Sequence, residues 1–413
     1  MGSDSDFMNL FSYMLRNRIL DWRPLALFAA LLAPVIPHAA EIRVVPADYV
    51  VLNPTNPDKG FSDLVVHTIC IATSEIETLT LSILTVEILS KGRVLLTHNI
   101  QPEELVGATQ NLAHAPFKEF VTGQLLNQDG LDGLFGRHVT FADSALLGPS
   151  RALVAMRIHS SVNFPVDSVR VSVVMIDSTK QAVTVSKIVP VRTFTSEIPY
   201  HSPLSGTWFM QAVPGVQSHH RFNPSTEFAE DFFKLGPNGH VAHGDPLKAE
   251  HFYGYGAPVM AAAAGTVVVV IADQLQDRPA LVKSAKETMD QYLARVDDFH
   301  MRSMAKNFRA ANAGNLITIR HEHNGISEYT SYGHLKSGSV KVQPGDKVAQ
   351  GQVIATVGDT GDSAEVHLHF QVNAGADAFT SKSLPAIFTN LYDVDNNNEL
   401  GRFVSTTRTL TAF

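Results

Sequence analysis

Hydrophobic and polar residues alternate along the first half of the chain with the period of β-strands. Between Leu79 and Ile88 apolar residues occupy every second position, with one change of phase that indicates a β-bulge. Three further runs have strand character, at residues 152–158, 169–176 and 182–191. These patterns predict a β-sandwich of immunoglobulin-like type over residues 41–195, with a less regular segment from Gln101 to Asp143.

A second region with a different pattern covers residues 196–413. Apolar strands are predicted at 266–271 and 316–321, and Asn324-Gly325 marks a hairpin turn after the second of them. Residues 279–311 change to the helical period, with apolar side chains on one stripe. We therefore expect an antiparallel β-structure with one helical insert, and a protein that is mostly β.

Length and charge limit the classes of function. The 413 residues are enough for two domains with separate cores, and 45% of them are hydrophobic, as in ordinary globular proteins. Lys and Arg number 32 against 40 Asp and Glu, which gives a net charge of −8. Nucleic-acid binders carry a basic surplus, so nucleic acid is not an expected partner.

The first 40 residues have the composition of a signal peptide. Arg16, Arg18 and Arg23 precede an apolar stretch from Leu25 to Ile36, which is shorter than the roughly 20 residues of a membrane span. We predict export to the periplasm or the medium, with no stable membrane span after cleavage; an uncleaved N-terminal anchor is the alternative. Cys70 is the only cysteine, lies in an apolar run and is predicted to be a buried structural thiol.

Candidate chemistry begins with His367-Leu368-His369. Residues two apart on a strand point to the same side, so the two imidazoles would share one face while Leu368 enters the core. Two imidazoles suit a zinc ion, but a catalytic zinc site uses three protein ligands and a water molecule. The same region offers further candidates at His219, His220, Asp231 and His334.

Five ordered elements of the second region carry a resemblance to a known family. They are residues 254–265, the strand 314–321, Tyr332-Gly333-His334-Leu335, the hairpin 340–361 and the final His-x-His. In this order they resemble the lysostaphin-type (LytM-like) zinc metallopeptidases, which cut peptide cross-links of bacterial peptidoglycan. The resemblance covers about half of the chain, from Pro199 onward, and implies a LytM-type peptidase domain with the duplicated hybrid motif, or barrel-sandwich hybrid, fold.

The resemblance also implies roles for individual residues. Asp231 and His369 would bind one Zn²⁺ per chain, and His334 and His367 would serve catalysis. The first ligand is open, because the compact family pattern has a histidine four residues before the aspartate and position 227 is Glu. His220 ranks first for this role, His219 second and Glu227 third.

The resulting hypothesis is an exported zinc metalloendopeptidase that hydrolyses peptidoglycan cross-links or stem peptides with a zinc-activated water. The main alternative is a catalytically weak or inactive relative that binds cell wall or activates another hydrolase. A biotinyl-type carrier module is disfavoured, because no lysine stands between methionines at a hairpin tip. A non-wall peptide substrate stays open, as does a protein regulator acting through the N-terminal domain.

Overall fold

The structure is a computed structural model. It describes residues 40–412 except 57–58, 116–117, 127–129, 195, 212–217, 238, 246, 394–397 and 400–407. The predicted signal peptide, residues 1–40, lies outside the described residues apart from Ala40.

Residues 40–192 form eleven strands and three helices of the described chain. The strands are β1 (Ala40–Val45), β2 (Val50–Val51), β3 (Asn53–Asn56), β4 (Phe61–Thr73), β5 (Leu79–Ser90), β6 (Arg93–Ile100), β7 (Thr140–Phe141), β8 (Leu146–Leu147), β9 (Arg151–Val162), β10 (Ser168–Ile176) and β11 (Ala182–Arg192). The helices are α1 (Pro102–Ala113), α2 (Lys118–Leu126) and α3 (Gly130–Phe135).

These strands form two sheets that pack face to face. One sheet has the order β1-β4-β9-β7 with β3 beside β4, and the other has the order β2-β11-β10-β5-β6 with β8 beside β5. Leu64 and Val66 of the first sheet share a buried core with Val171 and Val173 of the second. The predicted β-bulge is present, because the pairing of β5 with β10 skips Ser82. The immunoglobulin-like connectivity stays a prediction.

Helices replace the less regular segment that the sequence analysis expected between Gln101 and Asp143. Pro102 occupies the first helical turn of α1, and the side chain of Glu104 accepts a hydrogen bond from the Gln101 amide, at 3.1 Å. The helices pack on the outer face of the first sheet. Their apolar residues form a second core with Cys70, which is fully buried as predicted.

Residues 206–412 form thirteen further strands and two helices of the described chain. The strands are β12 (Gly206–Gln211), β13 (Glu230–Phe233), β14 (Pro258–Met260), β15 (Gly265–Ile271), β16 (Asn315–His323), β17 (Ile326–Leu335), β18 (Lys347–Val348), β19 (Val353–Thr356), β20 (Leu368–Asn373), β21 (Ser383–Leu384), β22 (Leu391–Asp393), β23 (Asn398–Glu399) and β24 (Arg408–Ala412). The helices are α4 (Arg278–Leu281) and α5 (Met289–Ala313).

One large antiparallel sheet organises this region. Its order is β18-β15-β16-β17-β20-β13-β12-β24-β22-β23, with β21 beside β20, and β14 pairs with β19 in a small separate sheet. Tyr332, Leu368 and Phe370 are fully buried in the core behind it. The prediction of a mostly β protein is confirmed.

The helical insert predicted over 279–311 is divided in the structure into α4 and α5, which a non-helical segment separates, and Gly314 follows the end of α5. Thr288 and Gln291 form a capping box at its start, and Asn307 interrupts the helical backbone. Gly314 has a positive φ of 63°, and a Cβ there would lie 2.2 Å from the Thr360 carbonyl oxygen, so only glycine fits. Across the described residues, none of the helices combines the length and the hydropathy that a membrane span needs.

Leu368 provides a test of the strand assignment, because it is fully buried between two histidines that face the opposite side. We expect Leu368→Ala to lower the free energy of unfolding by about 2–5 kcal/mol, since it removes a core side chain and leaves a cavity. The matched control is Leu275→Ala, an 81% exposed leucine, with an expected change within about 0.5 kcal/mol. Urea unfolding curves measure both, and equal midpoints for the two variants would contradict the assignment.

Candidate metal centre

Three neighbouring strands bring the candidate residues together. In the sheet β20 lies between β13 and β17, and His369 stands opposite Asp231 on one side and Gly333 on the other. Gly333 carries no side chain, and a Cβ there would make an ordinary contact of 3.4 Å with the Cβ of His369. His367 precedes β20 by one residue and faces the same side as His369.

The hydrogen bonds of His369 fix which ring nitrogen faces Asp231. Nδ1 of His369 lies 3.0 Å from Oδ1 of Asp231, and Nε2 lies 2.8 Å from Oε1 of Gln371. The Gln371 amide nitrogen donates to Asn373 and to the carbonyl of Ala378, so its oxygen must be the atom that faces His369. Nε2 therefore carries a proton, and in the neutral ring the lone pair is on Nδ1, directed at Asp231.

His220 approaches the same carboxylate from a short 3₁₀ turn, His219–Phe222. Its Nδ1 lies 3.4 Å from the carbonyl oxygen of Ala229, and its Nε2 lies 3.7 Å from Oδ2 of Asp231. The ring is almost fully buried and meets the His369 ring edge to face, with centroids 4.9 Å apart. Asp231 is thus placed between two imidazole nitrogens, one at each oxygen.

The two other candidates for the first ligand occupy different positions. His219 is exposed, and one ligand atom each from His219, His220 and Asp231 lie within 4.8 Å of one another. His219 therefore stays the alternative to His220 as the first ligand, and its closeness to His220 and Asp231 makes it an alternative to His369 as well. Glu227 is engaged elsewhere, with one oxygen on Arg221 and the other 2.6 Å from Nε2 of His67.

His334 lies at the end of β17 in an unusual backbone conformation. Its φ is +56°, which non-glycine residues rarely adopt, and such strain is commonly found at functional sites. Nδ1 lies 2.9 Å from the carbonyl oxygen of Thr360, which must accept, so the neutral ring carries its lone pair on Nε2. The ring lies beside His367, with centroids 4.6 Å apart.

His367 is held from two sides. Nδ1 lies 2.8 Å from the Glu365 carbonyl oxygen, and the ring stacks on Phe233 with an interplanar angle of 18°. Nε2 lies 3.7 Å from Oδ1 of Asp231. Since the Glu365 carbonyl can only accept, the neutral ring of His367 also presents the lone pair of Nε2 to the site.

Burial and the neighbouring imidazoles change the pKa of the Asp231 carboxylate in opposite directions. Burial favours the neutral acid of Asp231, but the imidazoles of His220, His367 and His369 outweigh it and hold the pKa of Asp231 well below its usual value. Burial also lowers the pKa of His369, yet its hydrogen bond to Asp231 raises that pKa above the ordinary value. Burial, with His367 and His369 nearby, lowers the pKa of His334 to about 3.

The donor types suit a zinc ion. His369 lies 3.0 Å from one oxygen of Asp231 and His220 lies 3.7 Å from the other, whereas His219, His220 and Asp231 have ligand atoms that all lie within 4.8 Å of one another. Two imidazoles and one carboxylate are a known catalytic zinc set. His220, Asp231, His334, His367 and His369 line one cavity of about 260 Å³.

Two residues of this centre were missed in the sequence analysis. Gln371 orients His369, and Phe233 orients His367 by stacking. Gln371 was detectable, because it follows His369 by two residues and therefore lies on the same face of β20. Phe233 was detectable for the same reason, because it follows Asp231 by two residues on β13 and therefore lies on the same face of that strand.

Part of the C-terminal region matches a known protein family. Residues 303–381 match peptidase family M23, a range that includes His334, His367 and His369 and begins after His220 and Asp231. A peptidase family M23 segment therefore lies in the C-terminal region, as the resemblance predicted.

Similar solved structures include three peptidases, at low TM-scores. The catalytic domain of the antimicrobial peptidase lysostaphin from Staphylococcus simulans is 19% identical over 45% of this chain and 84% of that one, with a TM-score of 0.22. A putative peptidase M23 from Pseudomonas aeruginosa is 14% identical over 55% of this chain and 80% of that one, with a TM-score of 0.24. A zinc-containing peptidase from Vibrio cholerae is 14% identical over 78% of this chain and 80% of that one, with a TM-score of 0.22. These scores are too low to support a functional conclusion.

The low pKa of His334 has a measurable consequence for the metal-free protein. Between about pH 3 and pH 6.5 the unfolded chain binds a proton at His334 that the folded chain does not bind, so acidification favours unfolding. From pH 7 to pH 5 this residue should remove about 2 kcal/mol from the free energy of unfolding. His334→Gln should show a correspondingly shallower pH dependence in urea unfolding. Identical pH dependence of the two proteins would contradict the low pKa.

Proposed function

We propose that this chain is an exported zinc-dependent metalloendopeptidase that hydrolyses peptide bonds of peptidoglycan. The observation that carries the proposal is the convergence of His220, His369 and Asp231 beside His334 and His367. The match of residues 303–381 to peptidase family M23 supports the same reaction class. Export through residues 1–40 to the periplasm or the medium belongs to the proposal and brings the enzyme to its substrate.

His220, Asp231 and His369 would hold the ion. Zinc bound there would act as a Lewis acid that polarises the scissile carbonyl and lowers the pKa of water towards about 7. Gln371 keeps the proton of His369 on Nε2, which leaves Nδ1 free to bind metal. The anionic form of Asp231, which its low pKa secures, supplies the negative ligand.

His334 and His367 would orient the attacking water and accept its proton. Nδ1 of His334 donates to the Thr360 carbonyl, so its Nε2 would accept a hydrogen bond from the attacking water and orient it. His367 accepts the proton at Nε2, while Glu365 and Phe233 keep its ring in place. The protonated ring of His367 would donate a hydrogen bond to the oxyanion and then transfer its proton to the leaving amine nitrogen as the C–N bond breaks.

Digestion of purified peptidoglycan tests reaction and substrate together. We expect the wild type to release muropeptides that mass spectrometry identifies as products of peptide-bond cleavage, and a chelator to abolish the release until zinc is restored. His334→Ala and His367→Ala should keep zinc and lose roughly 10²–10³ in turnover. Wall binding without product release would favour the inactive, wall-binding or activating relative instead.

Zinc content distinguishes the two possible donor sets. If His369 is the third ligand, His220→Ala and His369→Ala should lose the zinc that elemental analysis finds in the wild type, because two remaining ligands bind it weakly. His219→Ala, a neighbouring exposed histidine, is the control and should retain it. The reverse pattern, with zinc lost in His219→Ala and kept in His369→Ala, would assign the site to the His219 set.

A further inference from the structure

The turn that carries His220 is also attached to the sandwich formed by residues 40–192. Arg221, the next residue, is fully buried, and its Nη2 lies 2.9 Å from Oδ1 of Asp63 on β4. Its other terminal nitrogen contacts the carboxylate of Glu227. A buried guanidinium between two carboxylates is held strongly in one orientation, because losing either partner would leave a charge in a low-dielectric interior.

Two neighbouring contacts attach the same segment to the same sheet. The ring of Phe222 meets His159 of β9 edge to face, with centroids 6.3 Å apart. The second oxygen of Glu227 lies 2.6 Å from Nε2 of His67 on β4. Asp63 is fixed in turn, since its Oδ1 accepts a hydrogen bond of 2.9 Å from the amide of Asn53 on β3.

The three proposed zinc ligands differ in how their backbones are held. Asp231 and His369 lie on strands that pair directly with each other, so the sheet sets their separation. His220 lies on a four-residue 3₁₀ turn, where the Ser218 side chain accepts from the His220 amide and the Thr226 hydroxyl donates to the His220 carbonyl; such a short turn is less constrained than a pair of strands. The position of His220 therefore also depends on contacts of its neighbours, and these include the buried Arg221–Asp63 ion pair.

We propose that Asp63 is a positioning residue of the metal centre. By holding Arg221, it orients the His219–Phe222 turn so that Nε2 of His220 faces Asp231. The sandwich is then a structural part of the metal site, and it contributes through a salt bridge rather than through a ligand. The inference rests on the proposed function in that the ion is zinc.

Zinc affinity of the full chain tests this role. We expect Asp63→Asn to raise the zinc dissociation constant by roughly 10–100-fold, the range for residues that orient a metal ligand, in competition with a chromophoric chelator. Cobalt(II) substitution should show a changed visible absorption spectrum, because the His220 ligand is displaced. Glu87→Gln is the control: Glu87 pairs with Arg170 at 2.6 Å between β5 and β10 of the second sheet, whereas the turn contacts the first sheet, and both readouts should stay unchanged.

The His220→Ala background separates positioning from general destabilisation. If Asp63 acts through His220, Asp63→Asn should change the already weakened dissociation constant by less than about twofold there. A loss as large as in the wild-type background would overturn the proposal, and so would unchanged affinity in Asp63→Asn alone. Absence of zinc binding by the wild type would instead overturn the proposed function.

A second variant guards against failure of Asp63→Asn to fold. Arg221→Lys keeps the positive charge but lacks the fork that reaches Asp63 and Glu227 together, so it should weaken zinc binding in the same range. Thermal unfolding of the metal-free proteins reports whether each variant is folded. If neither variant folds, the proposal is overturned, because the contact then supports the whole chain and not the ligand turn in particular.

Discussion

The pairing of β13 with β20 is the constraint on which the candidate centre depends. It places Asp231 directly opposite His369, so that a carboxylate and an imidazole meet without any loop between them. Side chains alternate along a strand, so a slip of one residue would turn His369 into the core and Leu368 into the cavity. The apolar core behind the sheet makes that slip costly, and the same burial that stabilises the fold thereby fixes the geometry of the site.

Local patterns predicted most elements of the fold but not their arrangement. Alternation identified the strands around Leu79 and the bulge within them, and the helical period identified the insert. The helices between Gln101 and Phe135 were missed, although Pro102 and Glu104 were start signals for the first of them. Sheet order was out of reach, since β12 pairs with β24 at the other end of the domain, and no local pattern encodes such distant pairing.

The residues of the candidate centre also fall into those that local sequence patterns predict and those that they do not. The spacing of His367 and His369 fixes a shared face, and Gln371 extends that face by one more step, so these are readable from sequence. The choice among His220, His219 and Glu227 depends on a short turn, for which spacing gives no rule. Structure separates Glu227 from the others by its contacts to Arg221 and His67. The Arg221–Asp63 pair spans 158 residues and has no local signature.

The close approach of Gly314 to Thr360 has a consequence for how the insert can vary. The carbonyl of Thr360 accepts a hydrogen bond from Nδ1 of His334, and its hydroxyl accepts one from the backbone amide of Asn315. The same residue therefore supports His334 and the chain just after α5. Asn307, where the helix breaks, divides α5 in two. A change in length after Asn307 would therefore displace the residue that supports His334, while the segment before Asn307 reaches the same cavity through His300, which lies 3.1 Å from Asp362.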